Sequence, residues 1–217
     1  MASLAVYSLY PDLMERIPLM GDFHAHSCRS DGRESPAFVS AMYRQHGFDF
    51  APITDHGMYY PSQEAIDAYQ NVEIDFQIYP GEEVHTPGNN VHIINFAGSF
   101  SVNELAKHGT NRLWSCDPRQ EWMDEVNRLV SSLPDPPKGV DKFVWASCML
   151  IYQKIREGGG ISIFCHPYWI SDVYNVNAEM TRKICSSTPL IEWLATLYSC
   201  TGTIFRCMMN YAMKKED

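Results

Sequence analysis

Apolar positions along the chain alternate between short runs and helically spaced stripes. A brief apolar run, Leu19 to Phe23, stops at Gly21-Asp22-Phe23-His24-Ala25-His26, and Ser30-Asp31-Gly32 follows as a turn signal. Residues 36–46 predict a helix with Ser35 as N-cap, Pro36 at N1, a stripe of Phe38, Val39, Met42 and Tyr43, and Gly47 closing it. Asp49 to Thr54 reads as a strand ending at Asp55-His56-Gly57. A second helix is expected over 62–70, then a strand over 76–79 ending at Pro80-Gly81-Glu82-Glu83, and another over 91–97.

The stretch from Ser99 to Gly160 is longer and mostly helical in pattern. Trp122, Val126, Leu129, Val130 and Leu133 keep one helical face, and Val144, Cys148, Ile151 and Ile155 another, with Pro134-Asp135-Pro136-Pro137 between them. Gly158-Gly159-Gly160 ends the second helix, and Ile161 to Cys165 is a compact buried-strand pattern that delivers His166-Pro167. Beyond it a helix over 177–185, a strand over 190–194 and a last helix over 203–214 are expected. Strand and helix alternate, which predicts a single α/β domain over 1–217 built on a parallel sheet or barrel, with a mainly helical insertion at about 99–160.

At 217 residues and 45% hydrophobic composition the chain buries a full core, which excludes disorder, collagen-like repeats and disulfide-stapled miniproteins. Its net charge of −9 argues against a groove that holds long nucleic acid by charge. An anionic substrate would need positive charge from something other than side chains. The 7 cysteines form no C-x-x-C pair and read as reduced thiols. The N-terminus lacks the basic start and apolar stretch of a signal peptide, and no run of membrane-spanning length occurs, so a cytoplasmic protein without a membrane partner is expected.

Of the 8 histidines, His24, His26, His56 and His166 fall directly after predicted strands, where active sites of parallel α/β folds gather. His24 and His26 are two apart, so on an extended backbone both leave the same face. Asp31, Asp55 and Glu83 lie at strand ends or in the turns after them. Imidazole and carboxylate without thiolate suits Zn²⁺, Mn²⁺ or Fe²⁺. Such ions would also supply the charge that the chain lacks for a phosphate and would activate water near neutral pH. Each motif has an ordinary reading as well: Ser30-Asp31-Gly32 is a common turn, and a histidine before proline can be a core residue. His46 and His108 read as helix C-terminal residues, and Trp122 and Trp145 as core.

Four ordered pieces, Asp22-Phe23-His24-Ala25-His26-Ser27 with Ser30-Asp31-Gly32, Ile53-Thr54-Asp55-His56-Gly57, Gly81-Glu82-Glu83-Val84 and Phe164-Cys165-His166-Pro167, make the chain resemble the PHP (polymerase and histidinol phosphatase) metallohydrolases. The resemblance implies a distorted (β/α)7 TIM-like barrel with a multinuclear site of two or three divalent ions (Mn, Zn or Fe), or fewer, hydrolysing phosphate esters. It matches His24, His26, Asp31, His56, Glu83 and His166 to metal ligands and His92 to the ligand of the strand after the glutamate. Glu83 would bridge two ions, with Glu82 as its shadow candidate. His85 is the candidate proton donor, and Arg33 the candidate phosphate clamp, although a solvated surface arginine is the commoner outcome.

The family's late Asp-x-His has no counterpart, since no histidine follows His166, so the barrel is expected to be incomplete at its C-terminal end. The leading expectation is a phosphoesterase acting on a small phosphomonoester or a nucleotide end. Its rivals are a catalytically impaired metal-binding remnant or interaction module, and an amidohydrolase-like C–N hydrolase.

Overall fold

A computed structural model describes residues 17, 19–110, 117–166 and 176–187. The first helix, α1 (Pro36–Gln45), starts as its sequence requires: the Ser35 side chain accepts from the Phe38 N–H, Pro36 occupies the first turn, and Gly47 takes φ +82° just past the end. Its buried stripe differs from expectation. Pro36 and Ser40 are buried, Val39 and Tyr43 pack against the core, and Phe38 is 49% exposed. Ser40 tolerates burial because its hydroxyl donates to the Pro36 carbonyl at 3.0 Å.

Next come β1 (Phe50–Pro52), α2 (Tyr60–Tyr69), β2 (Gln77–Tyr79), β3 (Gly81–Val84) and β4 (Ile93–Phe96). The helical stretch supplies α3 (Val102–Ala106), α4 (Gln120–Ser132) and α5 (Lys142–Glu157), and β5 (Ile161–Phe164) and α6 (Ala178–Ser186) follow. Asp141 caps α5 by accepting from the Phe143 and Val144 N–H groups, and Asn177 caps α6 from Met180. Pro80-Gly81-Glu82-Glu83, expected as a strand end, is itself mostly strand. The strand over 190–194 and the helix over 203–214 lie outside the described residues.

The fold is mixed α/β, and the all-parallel expectation is corrected. β1 pairs with β2 in parallel, but β3-β4-β5 is an antiparallel sheet. The link over 85–92 returns β4 directly beside β3 and holds no crossover helix, without which neighbouring strands cannot run parallel. Single parallel bridges, Gly21 with Phe50 and His56 with Glu83, connect the segment before α1, β1 and β3. Among the described residues the two sheets are small and unclosed, so no complete barrel is formed by them.

Strand alternation divides the core. Phe50, Ile94, Phe96, Ile163 and Cys165 form one cluster that draws on both sheets, and Phe23 joins it with its ring 4.9 Å from that of Phe96. Ala51 and Ile78 turn to α1 and α2, while Val84, Ile93 and Phe164 turn to α3, α4, α5 and α6. Trp122 and Trp145 are core residues, as expected. The helices of 99–160 therefore cover the outer face of the antiparallel sheet. No helix among the described residues is long and apolar enough to cross a membrane.

Candidate metal centre

The site forms where the bridged strand ends converge, and Glu83 is its centre. Adjacent strand residues face opposite ways, so Glu82 and Glu83 part company. Glu82 turns outward, wholly buried, and accepts from Ser101 Oγ at 2.7 Å, Asn103 Nδ2 at 2.8 Å, Asn95 Nδ2 at 3.1 Å and the Val102 N–H at 2.5 Å. Glu83 turns inward, equally buried, into a ring of imidazoles. Its Oε2 lies 3.3 Å from His24 Nε2, 2.9 Å from His26 Nε2 and 2.8 Å from His56 Nδ1. Its Oε1 lies 2.6 Å from His92 Nδ1, 3.1 Å from His166 Nε2 and 3.9 Å from His85 Nε2.

Each imidazole is brought there by its backbone. Ala25, between His24 and His26, is fixed to Thr54, donating to Thr54 Oγ1 at 3.0 Å and accepting from the Thr54 N–H at 2.7 Å. Glu83 donates its N–H to Asp55 O, and Gly57, at φ +66°, returns an N–H to Glu83 O at 2.8 Å, which holds His56 beside the carboxylate. His85 N–H donates to Asn103 Oδ1 at 2.9 Å. Cys165 N–H donates to His92 O at 3.1 Å, and His166 then takes φ +34°, an unfavourable conformation for a side-chain-bearing residue that aims its ring inward.

Asp31 is returned to the site by a tight loop. Asp55, buried and sequence-adjacent to His56, is not in the imidazole ring. It accepts from the Ser27 N–H at 2.9 Å, Ser27 Oγ at 2.6 Å, the Ser30 N–H at 3.1 Å and Ser30 Oγ. Gly32 packs onto the peptide after His26, where a Cβ would lie 2.6 Å from the His26 carbonyl oxygen. Asp31 Oδ1 thereby reaches His26 Nδ1 at 2.6 Å and Oδ2 reaches His56 Nε2 at 3.3 Å. Asp31 is the open side of the site, with its side chain 56% exposed.

Burial works to raise the Glu83 carboxyl, but hydrogen bonding from His166, His24, His26 and His56 holds it well below the usual carboxylate range. Burial lowers His26, and Glu83 and Asp31 overcome it, raising the ring to about 9. Asp31 is lowered, the rings of His26 and His56 outweighing burial. Burial, helped by the neighbouring His92, pushes His85 well down; His92 is lowered by burial against the pull of Glu83.

These contacts cannot all be hydrogen bonds. His24 Nε2 and His26 Nε2 both point at Oε2 yet stand 2.9 Å from each other, and His92 Nδ1 and His166 Nε2 both point at Oε1 yet stand 3.2 Å apart. One nitrogen of each pair would need to donate twice or face a second proton. A cation shared by lone pairs removes the conflict, so the residues present fit a divalent metal. Three sets of donor atoms lie within 4.8 Å of one another: His24, Glu83, Cys165 and His166; His56, Glu83, His85 and His92; and His26, Asp31 and His56.

All seven residues matched to metal ligands from sequence therefore meet in one neighbourhood. Arg33, on the same loop, is exposed. His46 stays apart, its Nδ1 2.7 Å from Met42 O at the end of α1. From sequence alone Cys165 and Asn103 carry no site role, and Asp55 reads as one of the strand-end acids. Strand alternation was the available signal separating Glu82 from Glu83.

No protein-family model and no curated protein matches the chain. Its structural neighbours include PHP-like metal-dependent phosphoesterases at low identity. A Bifidobacterium adolescentis protein assigned as a metal-dependent phosphoesterase is 15% identical, with 82% of each chain covered and a TM-score of 0.48. A two-domain Bacteroides vulgatus protein containing a predicted PHP-like metal-dependent phosphoesterase is 16% identical, with a TM-score of 0.47; 84% of this chain aligns with 46% of that one. An amidohydrolase from Chromobacterium violaceum, with bound sulfate and no metal, is 16% identical over 68% of this chain and 66% of that one, with a TM-score of 0.40.

Proposed function

We propose that the chain is a metal-dependent hydrolase of phosphate esters, acting on a small phosphomonoester or a nucleotide end. The observation that carries this reading is Glu83, a buried carboxylate whose two oxygens each face a separate group of imidazoles. A carboxylate shared in this way suits two adjacent divalent ions. His24 and His166 would serve one ion and His56 and His92 the other, both with Glu83, and His26 and Asp31 would join His56 on the open side. Bound divalent ions supply Lewis-acid polarisation of a phosphoryl oxygen and a water acidic enough to attack near neutral pH.

The chain's own groups do the rest. Asp31 keeps His26 and His56 turned inward. Burial keeps His85 neutral, so its lone pair is available beside His56, whose Nδ1 is 2.8 Å away, and the leaving oxygen takes its proton from solvent. Arg29 is engaged by Glu64 at 2.8 Å, which leaves the exposed Arg33 as the loop guanidinium that would grip a phosphate. The net charge of −9 favours small substrates over polymer tracking.

The test is hydrolysis of a generic phosphate ester with added Mn²⁺ by the native chain and by His24→Ala. The expected result is a loss of roughly 100-fold or more in the variant. Equal activity in both would remove the proposal.

A further inference from the structure

Cys165 stands in the metal centre without a part in the chemistry above. Its side chain is wholly buried, and its N–H is bonded to His92 O, so it is held between two of the imidazole-bearing residues. Its Sγ and one donor atom each of His24, Glu83 and His166 all lie within 4.8 Å of one another. The second pocket on Glu83, with His56, His85 and His92, offers nitrogen and oxygen alone. The two positions that share Glu83 therefore differ in softness. A set of two imidazoles, one carboxylate and one thiolate matches a four-coordinate zinc site, whereas manganese disfavours sulfur.

We infer that Cys165 is a thiolate ligand that makes the His24–His166 position of the centre select zinc or another thiophilic ion, while the His56–His85–His92 position stays permissive for manganese or iron. This inference rests on the reading of the cluster as a metal centre. Binding breaks the S–H bond and forms the metal–sulfur bond, and the proton passes to solvent. The opposing view is that Cys165 is a small apolar filler beside Phe50, Ile94 and Phe96.

The experiment uses the full chain stripped with chelator and titrated with Co²⁺. The expected spectrum has visible d–d bands together with a near-ultraviolet sulfur-to-cobalt charge-transfer band. Cys165→Ser should lose the near-ultraviolet band and keep the d–d bands, and its zinc affinity should fall roughly 10-fold or more with manganese affinity unchanged. As a check needing no variant, X-ray absorption at the zinc edge should show a sulfur scatterer at about 2.3 Å, and the manganese edge should show none. Intact d–d bands without the charge-transfer band, a charge-transfer band unchanged in Cys165→Ser, or a zinc edge without sulfur would overturn the thiolate and leave the metal centre standing. Absence of any cobalt signal would overturn both.

Discussion

Glu83 shows how much chemistry one residue's position decides. Buried alone it would be neutral; ringed by imidazoles it is an anion that needs cations around it. Glu83→Gln keeps the shape and removes the charge, and should cut bound metal and phosphate-ester hydrolysis together, by roughly 100-fold in activity. Elemental analysis beside a rate assay checks it. The same ring sets the pH response of the metal-free chain. His26, raised to about 9, stabilises the fold fully below pH 6.5, and that stabilisation is lost as pH rises toward 9. His85 and His92 are lowered, so below pH 6.5 they take up protons more readily in the unfolded chain and the fold weakens. In chelator, the urea midpoint should therefore peak near pH 6.5, and His26→Gln should flatten the alkaline side. A midpoint that climbs steadily from pH 6.5 to 9 would contradict this assignment.

At the scale of elements, α3 is fastened to β3 by Glu82 and Asn103. Glu82 takes four donors from the start of α3 and from β4, and Asn103 also donates to Glu83 O and accepts from the His85 N–H. Glu82→Ala leaves those donors buried without an acceptor and should cost about 2–4 kcal/mol, measured by chemical denaturation. The loop of 27–32 is a second such device. Gly32→Ala should displace Asp31 while leaving the helices intact, so far-ultraviolet dichroism stays native as metal affinity falls. The helices and strands themselves were mostly legible in sequence, because caps and stripes are local: Ser35, Asp141 and Asn177 all cap as their residue types require. Phe38 reads from sequence as part of the buried stripe because one helix turn offers two adjoining faces, and only tertiary packing selects the one with Pro36, Ser40 and Tyr43.

For the whole molecule, the site was more legible than the architecture. Imidazoles and acids placed after strands declare themselves by residue type, and His24, His56, Glu83, His92 and His166 meet as expected even though they are far apart in sequence. Strand direction left no such mark: nothing local to Gly81–Val84 or Ile93–Phe96 says that they run antiparallel, since that depends on the link over 85–92 being too short for a crossover. Cys165 reads from sequence as core, because a cysteine in an apolar strand pattern usually is. Since a cluster so crowded is relieved by cations, metal should also stabilise the entire fold, by about 2.7 kcal/mol at 100 times the dissociation constant.

The most direct measurement is metal bound per chain after dialysis against Zn²⁺ or Mn²⁺, for the native protein, Glu83→Gln and the remote control His46→Ala. The account predicts two or three ions in the native chain and in His46→Ala, and at most one in Glu83→Gln. A native chain that retains no more metal than Glu83→Gln would contradict it.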